Sequence, residues 1–379
     1  MRFWKEISIG LMLSVSSVSA QEVDPMDSAP FTSAIVCEHC HKDIHEAWTS
    51  NLHSRAATEP IFAQAFGEAE DTLGDEAGPF CLTCHAPTTV KTKDYAMVRN
   101  ITKESVTCDF CHTMVAAKPG EAVPFELDVG TGQSVKRGPY DDADDSQHPV
   151  AFSELHLSAE LCGSCHDFKT ASGVPILSTY SEYLAGPYPR RNVVCQGCHM
   201  PIVMGNAADP KVTRAPREYI NLHRMPGGHA EDQLQRALTL KWEKIERSSG
   251  RLQVRLSITN TGAGHRVPTG MPTRKLILEV EARTSTGRLY KEQTVYQKIV
   301  VDDGGREIVK DGEMFTRAAS IRRDNRILPG EQRLAGFSFM LPSTQKTELT
   351  ARLIYQFAPL GPTEETERIT FKTIRYTTR

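Results

Sequence analysis

Hydrophobic and polar residues alternate with a two-residue period late in the chain. Leu252, Val254, Leu256 and Ile258 interleave with Gln253, Arg255 and Ser257, as on a strand with one buried face. Leu276 to Val280 reads as another strand, and 293–301, 333–340, 349–357 and 368–376 as further ones. Turn signals separate them at Asn260-Thr261-Gly262, Ser285-Thr286-Gly287, Asp303-Gly304-Gly305 and Leu328-Pro329-Gly330. Six or seven short antiparallel strands over about 145 residues predict a β-sandwich. An open sheet laid over the rest of the chain is the alternative.

Before residue 233 the pattern is different. Short helical pieces fall near 42–56, 58–70 and 153–166, separated by Pro, Gly and polar stretches. The stretch 115–150 holds Lys118-Pro119-Gly120 and an acidic run of Asp141, Asp142, Asp144 and Asp145. It reads as a solvated loop. Calcium is the sharper alternative, but the spacing fits no known calcium loop. The expected class is α+β: a mostly helical, loop-rich region at 21–232, then a β-sandwich-like domain at 233–379.

Residues 1–20 read as a signal peptide. Arg2 and Lys5 precede an apolar run from Ile7 to Val18, and Val18-Ser19-Ala20 is a plausible cleavage site. The run is short against the roughly 20 apolar residues of a membrane span, which argues against an uncleaved anchor. Export to the periplasm, or on to the outer surface, is expected.

Composition adds two constraints. A net charge of -3 gives no basis for nucleic acid as a partner. An aromatic fraction of 7% is low, which a chain can tolerate if a bound apolar group supplies part of its core. Ten cysteines in an exported chain would ordinarily suggest disulfides. Their spacing says otherwise. Cys37-Glu-His-Cys40-His41, Cys81-Leu-Thr-Cys84-His85, Cys108-Asp-Phe-Cys111-His112, Cys162-Gly-Ser-Cys165-His166 and Cys195-Gln-Gly-Cys198-His199 are all CxxCH, and no cysteine is left over. Two thiols three positions apart lie one helical turn from each other and can add to the two vinyl groups of one haem. The next residue then sets an imidazole under the iron. A redox CxxC or half a zinc site would explain one such motif, not five in an exported chain. The reading is five covalent haem c groups, with His41, His85, His112, His166 and His199 as proximal ligands.

Eight histidines remain for the opposite iron faces. His39 is trapped between two haem-linked cysteines. His45 sits on the helical face of His41 and reads as a surface or haem-edge residue. His53 closes a helix that leaves the first motif past Trp48, and is expected to serve another haem than its own. His156 precedes the fourth motif by six residues. His223 and His229 flank Met225-Pro226-Gly227-Gly228, whose small residues allow backbone close to a flat ring. His265 is presented by the glycine-rich turn Asn260 to Gly270. The expected distal ligands are His53, His156, His223, His229 and His265, with His148 in reserve. No catalytic constellation stands out.

Four stretches resemble periplasmic and outer-surface multihaem cytochromes of the cytochrome c-554-like group. They are Cys37 to His41 followed by Trp48 and His53; His156 ahead of Cys162 to His166; Tyr180 through Cys195-Gln-Gly-Cys198-His199-Met200-Pro201; and His223 to His229 followed by Gly264-His265-Arg266-Val267-Pro268-Thr269-Gly270. The resemblance implies haems in parallel or perpendicular pairs, mostly bis-His, and the same five distal positions. It also implies that one iron can be open. The named group carries four haems against five motifs here, so ligand pairings do not transfer.

Electron transfer is therefore the leading function, between redox partner proteins such as other cytochromes or a membrane quinol-oxidising complex. A multihaem oxidoreductase acting on a small nitrogen or sulfur species at one open haem is the second reading. Pentahaem nitrite reductases carry CxxCK, which is absent here. A self-associating subunit of an extracellular cytochrome filament is the third.

Overall fold

The structure, a computed structural model, describes residues 29–130, 134–341, 345–358 and 367–378. The expected signal peptide at 1–20 lies outside the described residues.

The late alternating segments form two antiparallel sheets. The strands are β1 (Leu238–Ser248), β2 (Arg251–Asn260), β3 (Lys275–Thr284), β4 (Leu289–Tyr296), β5 (Lys298–Val301), β6 (Ser320–Asp324), β7 (Gln332–Met340), β8 (Thr347–Ala358) and β9 (Glu367–Thr377). One sheet has the order β7-β2-β1 and the other β4-β3-β8-β9, while β5 and β6 make a separate pair. Leu252, Val254 and Leu256 of β2 and Phe337 and Phe339 of β7 share a buried cluster with Leu276, Leu278 and Val280 of β3 and Leu349 and Leu353 of β8. The two sheets thus cover one core.

Two details differ from expectation. The stretch 293–301 is not one strand but the end of β4 and all of β5, which pair in different sheets. β1 was not anticipated. Its burial alternates only at Leu238 and Leu240 and then turns mostly polar, so its outer half carries no clear period.

Ahead of β1 the elements are short. Among the helices are α1 (Ala34–Glu38), α2 (Lys42–Thr49), α3 (Pro60–Leu73), α4 (Ala77–His85), α5 (Cys108–Thr113), α6 (Glu160–Gly163), α7 (Thr179–Ala185), α8 (Cys195–His199) and α9 (Glu231–Ala237), with further single turns at Thr89–Thr92 and Asn100–Lys103. The helical piece expected over 42–56 stops at Thr49, and a separate 3-10 turn spans His53–Arg55. α3 starts where the Glu59 side chain accepts hydrogen bonds from the Ile61 and Phe62 amides beside Pro60, and it stops at Gly74, whose φ is +56°. Two-stranded ladders also occur here, including Lys136–Gly138 with Val150–Phe152 and Ile202–Met204 with Tyr219–Asn221. The region is helical and loop-rich, with these short ladders as an addition.

A further helix, α10 (Asp311–Arg317), leaves the two-sheet region and packs on α3. Gly312 makes this approach possible: its amide donates to Glu68 Oε2 at 3.1 Å, and a Cβ there would stand 2.2 Å from the Ala65 carbonyl oxygen. Among the described residues no helix is long and apolar enough to cross a membrane.

Candidate haem centres

Each motif sits on or at the end of a short helical turn. The His41 amide bonds the Cys37 carbonyl at 2.8 Å and the His166 amide the Cys162 carbonyl at 3.0 Å, so one turn brings two thiols and the imidazole to one side. All ten cysteines and all five trailing histidines line one cavity of about 1980 Å³. That volume exceeds the roughly 300–1,000 Å³ of a single small-molecule pocket. Thiols of different motifs approach within hydrogen-bond range: Cys37 with Cys108, Cys84 with Cys165, and Cys162 with Cys195. The first motif therefore touches the third, the second the fourth, and the fourth the fifth.

Backbone carbonyls hold several of the histidine rings through Nδ1. Nδ1 of His41 faces the Ala207 carbonyl, His85 that of Ala56, His112 that of Arg137 and His199 that of Pro226. Nδ1 of His223 meets the Asn221 carbonyl at 2.7 Å, and Nδ1 of His265 the Arg266 carbonyl at 2.9 Å. A ring held through Nδ1–H presents the Nε2 lone pair to a metal. Burial is the first cause of low basicity at His53, His85, His112, His166, His199, His223 and His265. It pushes His53 and His223 to about 4 and His166 to about 3, with further lowering by nearby histidines. These rings are neutral at pH 7, as ligation requires.

Ring separations sort the candidates. An imidazole nitrogen binds a first-row metal at about 2.0 Å, so two rings gripping one ion from opposite sides have centres about 6 Å apart. His41 and His148 are 6.2 Å apart, His53 and His166 6.2 Å, His112 and His223 6.4 Å, and His199 and His265 6.4 Å. His53, His223 and His265 thus face motif histidines, and His53 faces that of the fourth motif rather than its own.

His156 and His229, expected as ligands, are held differently. His156 lies 5.4 Å from His112, but its Nε2 is engaged with the Cys111 carbonyl at 3.1 Å and its Nδ1 is buried without a partner. His229 packs edge-on against Phe357 at 4.0 Å, because Gly228 lets the chain lie against Tyr355. His45 rests 5.6 Å from Trp48 and 3.8 Å from Glu38, at the cavity edge. The ring packed on His85 is Phe62, at 4.1 Å, and among the described residues no histidine stands opposite it at the separation of the four pairs.

His148 took only the reserve place in the sequence. The acidic run decides its position: Asp144 accepts from the Arg214 amide at 2.6 Å, and Asp142 pairs with Arg217. The Arg214 amide is also the main cause holding Asp144 down at about 2. These bonds draw the loop over 207–217, beside His41. The Asp144 oxygens are thus occupied by protein donors, which serves the loop reading rather than calcium. The sequence carried a signal only in the Asp run itself, whose partners near Arg214 and Arg217 lie far along the chain.

The residues fit haem. The cavity holds paired thiols, imidazoles at metal-bridging separation and a buried Arg274 Nε without a protein partner, suited to a cofactor carboxylate.

Residues 36–113 match the family described as cytochrome c554 and c-prime. No curated protein matches the sequence. A penta-heme cytochrome c552 from Thermochromatium tepidum shares the fold with a TM-score of 0.74 at 19% identity, over 92% of this chain and 99% of that one. A structural-genomics target, SoR45, aligns over 36% of this chain and 82% of its own at 14% identity, and its TM-score of 0.18 carries no argument. The same holds for a β-glucosidase from Kluyveromyces marxianus, at 10% identity and a TM-score of 0.16, over 37% of this chain and 14% of that one. Together the five motifs, the family match and the shared fold support a multihaem c-type cytochrome.

Proposed function

We propose that the chain is an exported electron-transfer protein carrying five haem c groups, four of them with two histidine ligands. The proposed pairs are His41 with His148, His112 with His223, His166 with His53 and His199 with His265. The observation that carries this is the four ring separations between 6.2 and 6.4 Å. This assignment replaces His156 and His229 in the expected ligand set by His148. When bound, haem supplies iron that accepts and releases single electrons, and two imidazoles keep it low-spin. The protein's part is to hold the rings in place at these separations. We further propose a motif-bearing part at 21–232 and a β-sandwich-like part at 233–379, the latter supplying His265.

The thiol contacts support an order. The third motif adjoins the first through Cys108 and Cys37, and Cys111 lies near both Cys162 and Cys165. The fourth motif adjoins the second and the fifth. The haem of the fourth motif is then a branch point, with that of the second on a side arm. Redox partner proteins, either other cytochromes or a membrane quinol-oxidising complex, are the proposed donors and acceptors in the periplasm.

Mass spectrometry of the mature protein and EPR of the oxidised form test the reading together. Five covalent haems with low-spin signals from four support it. A mass equal to the bare polypeptide overturns it. Replacing His148, His53, His223 or His265 by Ala is expected to create one new high-spin signal each.

One observation favours a second reading. His85 has Phe62 on its face and, among the described residues, no histidine opposite at the separation of the four pairs, which suits an iron open to a small nitrogen or sulfur species. Added nitric oxide or cyanide should then perturb one haem in the wild type at concentrations that leave the others unchanged. Five low-spin haems in the resting protein would remove this reading.

A further inference from the structure

Glu182 sits on α7, between the fourth and fifth motifs, and its side chain is 7% exposed. A buried carboxylate costs stability unless its oxygens are met, and here both are. Oε1 accepts from Ser178 Oγ at 2.7 Å and pairs with Arg326 at 2.7 Å. Oε2 accepts from the Arg266 amide at 3.2 Å and from Thr269 Oγ1 at 2.9 Å. Three of these four donors belong to the two-sheet region. Two of them lie in the turn that presents His265.

The geometry at Arg266 links the carboxylate to the imidazole. Glu182 holds the Arg266 N–H, and the carbonyl of the same residue takes Nδ1 of His265 at 2.9 Å. The other side of the turn is tied as well: Asn260 donates to the His265 carbonyl at 2.9 Å. Arg326, 4% exposed on its side chain, is itself fixed by Asp324 at 2.8 and 2.9 Å and donates to the Pro268 carbonyl at 3.3 Å. The carboxylate therefore spans from the motif-bearing region to a turn whose histidine faces His199 at 6.4 Å.

We propose that Glu182 is the positioning residue for His265: it fixes the Arg266 backbone, and so sets the tilt and hydrogen bond of the distal imidazole over the haem of the fifth motif. The inference rests on the reading of His265 as an iron ligand. A metal-bound imidazole is tuned by the group that holds its other nitrogen, so a shift of the Arg266 backbone changes that haem alone.

The test uses the fully haem-loaded protein. Glu182→Ala, Glu182→Gln and His265→Ala are compared with wild type by EPR and by redox titration of the visible bands. Gln keeps the volume and one acceptor oxygen, which secures a folded variant if Ala does not fold. The expected result is one low-spin signal displaced or partly lost in either Glu182 variant, with the other signals in place. It should be the same signal that disappears in His265→Ala, and the double variant should show no change beyond His265→Ala. A purely structural role would lower the unfolding temperature and leave every signal where it was, and that result overturns the inference. If His265→Ala leaves all low-spin signals intact, the ligand reading fails first. If His265→Ala converts one haem to high spin while Glu182→Gln changes nothing, the inference alone fails.

Discussion

From α9 to β9 one continuous cluster of buried side chains runs from Leu234 to Phe371, drawn mostly from both sheets. In the motif-bearing region the clusters are small: Ala57, Phe62, Leu82 and Ala86 in one, and Phe110, Met114 and Phe125 in another. The space between those small clusters is the cavity lined by the thiols and imidazoles. The two-sheet region therefore buries its apolar faces against each other, whereas the motif-bearing region is shaped to bury them against its cofactors. The contrast teaches where stability resides: in side-chain packing on one side, and in covalently attached ligand on the other.

The sharpest break of this comparison is to withhold haem. Protein made without a maturation system is expected to lose protease resistance across 29–237 while the strands of 238–378 stay protected. Limited proteolysis read by mass spectrometry checks this, and equal cleavage of both regions would erase the distinction. Next in size is Leu256→Ala. Leu256 is fully buried between the sheets. Its loss should cost about 2–5 kcal/mol by denaturant titration. The visible bands of the folded variant should not move.

Lys298 offers a pH-dependent probe at the junction. Its ammonium group is buried and donates to the Pro175 and Ile176 carbonyls and to Ser178 Oγ, and burial lowers its pKa to about 8 from 10.5. Between these values the unfolded chain binds more protons than the folded one, so stability rises with pH from about 8 to 10.5 and is flat below 8 on this account. The full rise is about 3 kcal/mol. Lys298→Met should remove that slope, and a variant with an unchanged slope would refute the assignment. Gly312→Ala pushes a methyl into the α3 backbone and should cost about 1–3 kcal/mol. It acts on the contact between the two regions, so both should lose stability together. The smallest effect is expected from His45→Ala, which should leave the EPR spectrum of every haem unchanged.

The region with its own core was also the more legible. The alternation in β2 and the turn signals around it translate directly into strands, because a two-residue period leaves one face for burial. β1 escaped since most of its length faces solvent and shows no period. In the motif-bearing region the pieces expected near 42–56 and 58–70 fall on α2 and α3, and that near 153–166 shrinks to a 3-10 turn over Glu154–Leu157 and α6; the other helices and the short ladders, which are set by which loops lie side by side, were not read. The four histidine pairings were equally hidden. His53 lies far from His166 in sequence, and His148 reaches His41 only because Asp142 and Asp144 are drawn to Arg217 and the Arg214 amide.

Local chemistry was written in the chain itself. Two thiols and an imidazole within five residues make one haem site wherever the segment lies, so the motifs, the cofactor and the strand-rich end needed no structure. Which imidazole faces which motif is a matter of distance across the fold. That was decided by contacts between residues remote in sequence, such as Glu182 with Arg326, whose spacing no local pattern encodes.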